Sequence, residues 1–234
     1  MNSNNNISEN HAGEKPVQKN KRPPAQKKQP IKKHEKTVFD FKLFGKWDSN
    51  VEVKDQGLKP YINLEPRLLP RSAGIHRGRF HKSKMHIVER LALKILVAGH
   101  IGKKNRITTG PISGQYSNVM KIVENSLAAI EAREKKNPIE VLVKAVENAA
   151  VREEVVSYQM GSVMAREGVV TAPQRRVDKA LRFFAQGSIK ASLGKKKSMT
   201  QALTDELLAA YKGSSDSFAI KEKDRLEKEA TGSR

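Results

Sequence analysis

From Met85 to the C-terminus the apolar residues of this chain recur at spacings of three and four almost without a break. That period admits little besides a body of packed helices. Val88, Leu91, Ile95 and Ala98 make a first stripe, with Gly99 as its C-terminal stop. Val119, Ile122, Val123, Leu127 and Ile130 make a second, beginning near Ser117. Asn137 ahead of Pro138 reads as an N-cap with proline in the first turn, before the apolar face of Ile139, Leu142, Val143 and Val146. Ser198 and Gln201 have capping-box spacing before Leu203, Leu207 and Leu208, and Lys212-Gly213 ends that helix. A last helix is expected over residues 219–230, mostly charged, with Lys223 and Glu227 at a supportive spacing.

One stretch breaks this period. Between residues 154 and 171, Val156, Tyr158 and Met160 alternate with polar residues, Gly161-Ser162 suits a two-residue turn, and Val163, Ala165, Val169 and Val170 continue beyond it. The pattern predicts a hairpin projecting from the helical body. Met160, Gly161, Ser162, Val163, Met164 and Arg166 then lie at or near its tip. Their side chains either fold back onto the helices or meet a partner from an exposed tip.

About five helical stripes over some 150 residues can bury one core of ordinary size. The expected fold is therefore mainly α: a single helical bundle with a protruding β-hairpin and an extended basic N-terminal arm. Residues 1–36 are poor in apolar groups and rich in Asn, Lys, Gln and Pro, so burial cannot offset their ordering entropy, and a disordered basic tail is expected. Residues 37–84 are broken by Gly45, Gly57, Pro60, Pro66 and Pro70 and read as an extended wrapping segment with room for one short strand. The helical domain follows over residues 85–234.

Charge bears on what such a body is for. The 45 Lys and Arg outnumber the 25 Asp and Glu, a formal charge of +20. Repulsion on that scale opposes compaction and calls for an anionic partner. Residues 173–188, wound at about 100° per residue, place Val177, Ala180, Leu181 and Phe184 on one side and Arg175, Lys179 and Arg182 on the other. One face can be buried while the other carries only cations, which suits the regular phosphates of a nucleic acid. No apolar run is long enough to span a bilayer and no lipidation signal occurs, so a membrane partner is not expected. The Asn-rich start lacks a secretory signal, and Glu9 and Glu14 disfavour a transit peptide, so the expected location is cytoplasmic. Zero cysteines remove disulfides and thiolate chemistry. Aromatics make up 5% and are read as standing apart from the basic clusters, which disfavours base stacking and favours backbone contacts to structured RNA or DNA.

Catalytic chemistry does not announce itself. Gly99 and Gly102 with Lys103-Lys104 have the wrong spacing for a phosphate loop and follow a helix instead of a strand. His76, His81 and His86 recur every five residues amid Arg and Lys, so they are read as solvated or RNA-facing, without a metal. Glu153 and Glu154 are adjacent and diverge on either a strand or a helix, which removes a convergent acid-base pair. No cofactor, metal, catalytic residue or small-molecule substrate is expected.

Three stretches taken together, NPIEVLVKAVENAAVREEV (137–155), APQRRVDKALRFFAQGS (172–188) and AIKEKDRLEKEA (219–230), with GKKN at 102–105, resemble the small-ribosomal-subunit protein seven family, called protein five in eukaryotic ribosomes. LFGKWD (43–48) and YINL (61–64) resemble its archaeal and eukaryotic branch, and the likeness covers residues 39–234. The resemblance implies a helical bundle with a protruding hairpin that binds the rRNA of the small-subunit head and helps nucleate head assembly. It also implies neighbouring head proteins, and a place in the cytoplasmic ribosome beside exit-site tRNA and the mRNA exit. By position, Lys103, Lys104 and Arg106 match the family's basic turn, Gln174, Arg175 and Arg176 the opening of its RNA-facing helix, and Arg152 the arginine at the hairpin's foot. Two departures are evident: Val151 stands where the family usually has proline, and the hairpin holds fewer arginines than is common.

Beside that resemblance, the residues themselves predict a rigid positive surface of Arg175, Arg176, Lys179, Arg182, Lys103 and Lys104. Arginines would position phosphates by forked bonds and lysines would mainly add attraction. Arg77, Arg79, Lys82 and Lys84 in the glycine-bearing segment 71–84, together with Lys195, Lys196 and Lys197, would extend the footprint. The rival readings are a DNA-binding regulator, which would dimerise on half-sites, and an RNA-modifying enzyme, which would need a cofactor loop or catalytic cluster.

Overall fold

The helical period is realised as six α-helices and one long hairpin among the residues described by a computed structural model, which are 41–97, 100–101, 104–105, 112 and 114–234. The expected arm, residues 1–36, lies outside them.

Helix α1 (Ile87–Leu96) starts where the His86 side chain caps it, Nδ1 accepting from the Val88 N–H at 3.3 Å. It closes at Leu96, short of Gly99, because the buried stripe ends with Ile95 while Val97 turns out to solvent. Strands β1 (His100–Ile101) and β2 (Lys104–Asn105) pair antiparallel, Ile101 opposite Lys104. Helix α2 (Tyr116–Glu134) precedes α3 (Pro138–Ala149), whose N-cap is Asn137, its Oδ1 3.0 Å from the Ile139 N–H. Strands β3 (Glu153–Met160) and β4 (Val163–Val170) form the hairpin, and α4 (Pro173–Ser192), α5 (Met199–Lys212) and α6 (Phe218–Thr231) complete the chain. Both halves of the Ser198/Gln201 capping box are formed. Helix α4 runs past Ser188 to Ser192 because Ile189 continues its buried face, and the Ser188 hydroxyl donates back to the Phe184 carbonyl (2.6 Å).

Helix α4 packs against α1, α3, α5 and α6. Its inner residues Val177, Leu181, Phe184 and Ile189 are fully or almost fully removed from solvent, each large one contributing roughly 1.5–3 kcal/mol of burial. The outer face of α4 is therefore held by the whole core. Segment 41–84 adds Leu43, Trp47, Val53, Leu58 and Ile62 to that core, and the Trp47 Nε1–H donates to Glu131 Oε2 at 2.8 Å. Its described part holds no strand ladder, only single bridges (Leu43 with Trp47, Asn63 with His86) and 3-10 turns at Lys59–Tyr61 and His81–Lys84. Prolines 60, 66 and 70 lack the N–H that a ladder requires.

The hairpin pairs Glu153 with Val170 through to Met160 with Val163, leaving Gly161-Ser162 as the predicted two-residue turn, with Gly161 left-handed at φ 61°. Near the base, α6 lies on both strands at Gly168, where an added Cβ would stand 2.6 Å from the Ala230 carbonyl oxygen. The expected Lys223–Glu227 pair along α6 does not form. Lys223 Nζ donates instead to the Asn148 carbonyl (2.9 Å), and Glu227 Oε1 accepts from the Arg152 N–H (2.9 Å), because tertiary partners face both side chains. The pairs along α6 are Arg225 with Glu222 (2.7 Å) and Glu229 (2.5 Å).

Candidate nucleic-acid interface

Alternation on β3 sends Glu153 and Glu154 to opposite faces of the hairpin. Glu153 meets Arg234, and Glu154 turns to α4. There the Arg175 guanidinium grips it with a fork, Nε to Oε1 at 2.6 Å and Nη2 to Oε2 at 2.9 Å, and Lys179 pairs with Oε2 as well. Burial pushes the Glu154 carboxyl up, but the bonds from Arg175 and Lys179 outweigh it and hold it below the ordinary carboxylate value. The foot of the hairpin is thus fastened to α4 by charge.

One turn further, Asp178 projects from the same helix. It pairs with Lys82 from the turn before α1, with Arg90 of α1 (Nη2 to Oδ1, 3.1 Å) and, at 4.0 Å, with Lys94. Here too burial raises the carboxyl, and the Lys82 bond and the Lys94 and Arg90 charges bring it below its usual value. Lys94 is lowered, chiefly by burial, with Asp178 opposing and Arg182 and Lys82 adding repulsion. The outer face of α4 therefore does not carry only cations: Asp178, three residues after Arg175 and four before Arg182, falls on that same face by the helical period itself, and Glu154 joins it from the hairpin. Lys82, Arg90, Lys94, Arg175 and Lys179 pair with the carboxylates of Glu154 and Asp178, and Arg182 lies near enough to Lys94 to repel it. The balance stays positive, and Arg175 and Arg182 remain open to solvent. Buried Arg90 and half-buried Lys94 were absent from the expected set, although their four-residue spacing on α1 marks one shared face.

The other expected residues fall around this cluster. Arg176 turns aside, its Nη2 3.0 Å from Asp55 Oδ2, and with Lys54, Arg152, Thr171 and Pro173 lines an open cleft of about 710 Å³ at the start of α4. No side chain caps that helix start. Arg77, Arg79, Lys82 and Lys84 are exposed. Lys195, Lys196 and Lys197 lie beyond the far end of α4, about 30 Å of helix from its start, and Lys197 pairs with Asp205 at 2.5 Å. They do not join the cluster. Lys104 sits in β2, while Lys103 and Arg106 lie outside the described residues. His86 departs from the solvated or RNA-facing reading: it is fully buried, and burial pushes its imidazole down to about 4.

The hairpin reaches about 27 Å along its strands. At its tip Met160, Val163 and Met164 are 64%, 65% and 62% exposed, so they do not fold back onto the helices. Gly161, Ser162 and Arg166 are exposed with them. Among the described residues no three His, Asp or Glu side chains gather as metal ligands, and no helix is long and apolar enough to cross a membrane.

A core-anchored helix with a net positive outer face, flanked by a basic turn and a projecting ribbon, places the chain in the class of basic helical scaffolds. Comparison with known proteins narrows that class. The model of the family described as ribosomal protein S7p/S5e matches residues 59–234. Small ribosomal subunit protein uS7 of Nanoarchaeum equitans is 44% identical over 196 residues, 83% of this chain and 99% of that protein. Those of Methanothrix thermoacetophila (42%; 83% and 100% covered) and Methanococcus vannielii (41%; 87% and 100%) are similar over comparable spans. The chain belongs to the S7p/S5e family of ribosomal proteins. It is a structural component of the small ribosomal subunit and not an enzyme.

Proposed function

We propose that this protein binds the rRNA of the small-subunit head through the outer face of α4, helps nucleate head assembly, and works in the cytoplasmic ribosome. The carrying observation is the cluster of five cations paired with Glu154 and Asp178, with Arg182 beside them, at the outer face of a helix that packs against four others. Arg175 and Arg182 contact phosphates, while Arg90 and Lys179, being largely buried, shape the field from beneath. Arg152 and Arg176 at the cleft, Arg77, Arg79, Lys82 and Lys84, the turn at 103–106 and Lys195 to Lys197 extend the contact outward. The tail of residues 1–36 adds non-specific attraction, residues 37–84 wrap the body, and residues 85–234 are the rRNA-binding domain. The exposed tip at Met160, Val163 and Met164 supports a contact of the hairpin with exit-site tRNA or mRNA, with head proteins as further neighbours.

Salt dependence tests the main claim. Neutralising roughly six to ten phosphates gives a slope of log affinity against log salt on the order of minus five to nine. Changing Arg175, Lys179 and Arg182 together to Gln should reduce that slope by about one to two units, because Glu154 already offsets part of their charge. A companion variant that also carries Glu154→Gln keeps the hairpin's foot free of an unpaired carboxylate. Unchanged affinity and slope in both would show that RNA lies elsewhere.

A further inference from the structure

Phe80 occupies a place that neither packing nor charge explains. Its backbone is left-handed (φ 65°, ψ −3°), a region bulky L-residues avoid, yet the residue is 64% exposed and gains little from burial. Strain without a packing return points to use by a ligand. The conformation is pinned by its carbonyl, which accepts from the Ser83 hydroxyl at 2.9 Å and from Gln174 Nε2, in the first turn of α4, at 3.4 Å. Two residues on, Lys82 is tied to Asp178. The ring is therefore stationed beside the cationic cluster. The Arg79 guanidinium lies 5.0 Å from the ring centroid, and Arg77, His81 and Lys84, within four positions of it along the chain, are exposed. Although the aromatics read as separate from the basic clusters, this one stands inside the basic segment 71–84.

A planar apolar surface with a guanidinium beside it, in an exposed basic segment, does not suit an apolar protein patch, which would leave those charges without water. It suits a flat, polarisable group on a polyanionic chain. We propose that Phe80, with Arg79, stacks an unpaired base of the RNA whose phosphates the α4 cluster holds. The proposal rests on the RNA-binding reading above and adds to it a contact with a base. Phosphate contacts alone would fix position along the RNA, whereas a stacked base selects a site where a nucleotide is already unstacked.

The test uses the full chain and a transcript of the small-subunit head rRNA, with Phe80→Gly and Phe80→Trp variants. Glycine accepts φ 65° freely, so Phe80→Gly should fold at least as well as the parent while removing the ring. About tenfold weaker binding is expected from it, with the salt slope unchanged, because stacking releases no counterions. Phe80→Trp should bind as the parent does. Parent-like affinity for Phe80→Gly, alongside weaker binding by the Arg175, Lys179 and Arg182 variant, would overturn the stacking and leave the RNA-binding reading standing. Parent-like affinity with loss of the Gly variant from reconstituted subunits would assign the ring to a protein neighbour and equally overturn it. If the parent itself fails to bind the transcript, both readings fall.

Discussion

Changing Asp178 to Asn should make the protein less stable and a tighter binder of RNA. The Arg90 side chain is 3% exposed. One of its amino groups lies 3.1 Å from Asp178 Oδ1, the other gives a 2.6 Å bond to the Tyr61 carbonyl, and its Nε has no partner among the described residues. Without the carboxylate, a buried guanidinium retains one carbonyl and no counter-charge. Breaking a buried pair from one side costs about 3–5 kcal/mol, and since the Asn oxygen can still accept a bond, the lower end, about 3 kcal/mol, is expected. For a domain of this size that lowers the melting temperature by roughly 6–12 °C. The folded Asp178 carboxyl titrates below its ordinary value, so its stabilisation is present above the unfolded value and is lost as pH falls through the folded one. RNA binding should move the other way. Removing one negative charge among Lys82, Lys94 and Arg182 is worth on the order of 1 kcal/mol per nearby phosphate, or severalfold in affinity, and the gain should shrink as salt rises. Thermal unfolding followed by circular dichroism, with filter binding at two salt concentrations, reads both quantities. A variant as stable as the parent would refute the dependence of Arg90 on Asp178, and weaker RNA binding would refute the placement of Asp178 among the RNA-facing cations. Arg90→Met added to Asp178→Asn should recover most of the lost stability, because it removes the stranded charge.

Two further outcomes concern the scaffold. Gly168→Ala places a Cβ 2.6 Å from the Ala230 carbonyl oxygen, and because that neighbour is backbone, the end of α6 must shift at a cost of about 1–3 kcal/mol. Urea unfolding should show the cost and hydrogen exchange should quicken in the last turn of α6; a change under about 0.5 kcal/mol would contradict this close approach. Stability should also fall as pH drops from about 6.5 toward 4, because unfolded His86 takes a proton that its folded form, pushed down to about 4 by burial, refuses. The effect is on the order of 3 kcal/mol, His86→Gln should flatten that part of the profile, and a flat parent profile there would show that His86 is hydrated.

The features legible in the sequence are those whose cause lies within a few residues. Asn137 and the Ser198/Gln201 pair announce their helices because a cap bonds to N–H groups two or three positions on. The hairpin is legible for the same reason: alternation and a Gly-Ser turn set which strand residues meet. The burial of His86 is not legible, because it comes from its place as the cap of α1 on the core, while the exposed basic turn just before it points to a solvated residue. The bond from the Gln174 side chain to the Phe80 carbonyl, 94 residues apart, is likewise invisible from either residue alone.

Sequence by itself determined the helices, their buried faces, the ribbon and the excess of positive charge, since each follows from local backbone bonding or simple composition. Tertiary structure alone decided which charges from elsewhere in the chain join Asp178 on the outer face of α4. Lys82 reaches Asp178 across 96 positions and Glu154 reaches Arg175 across 21. An electrostatic field adds contributions by distance in space, and only folding sets those distances.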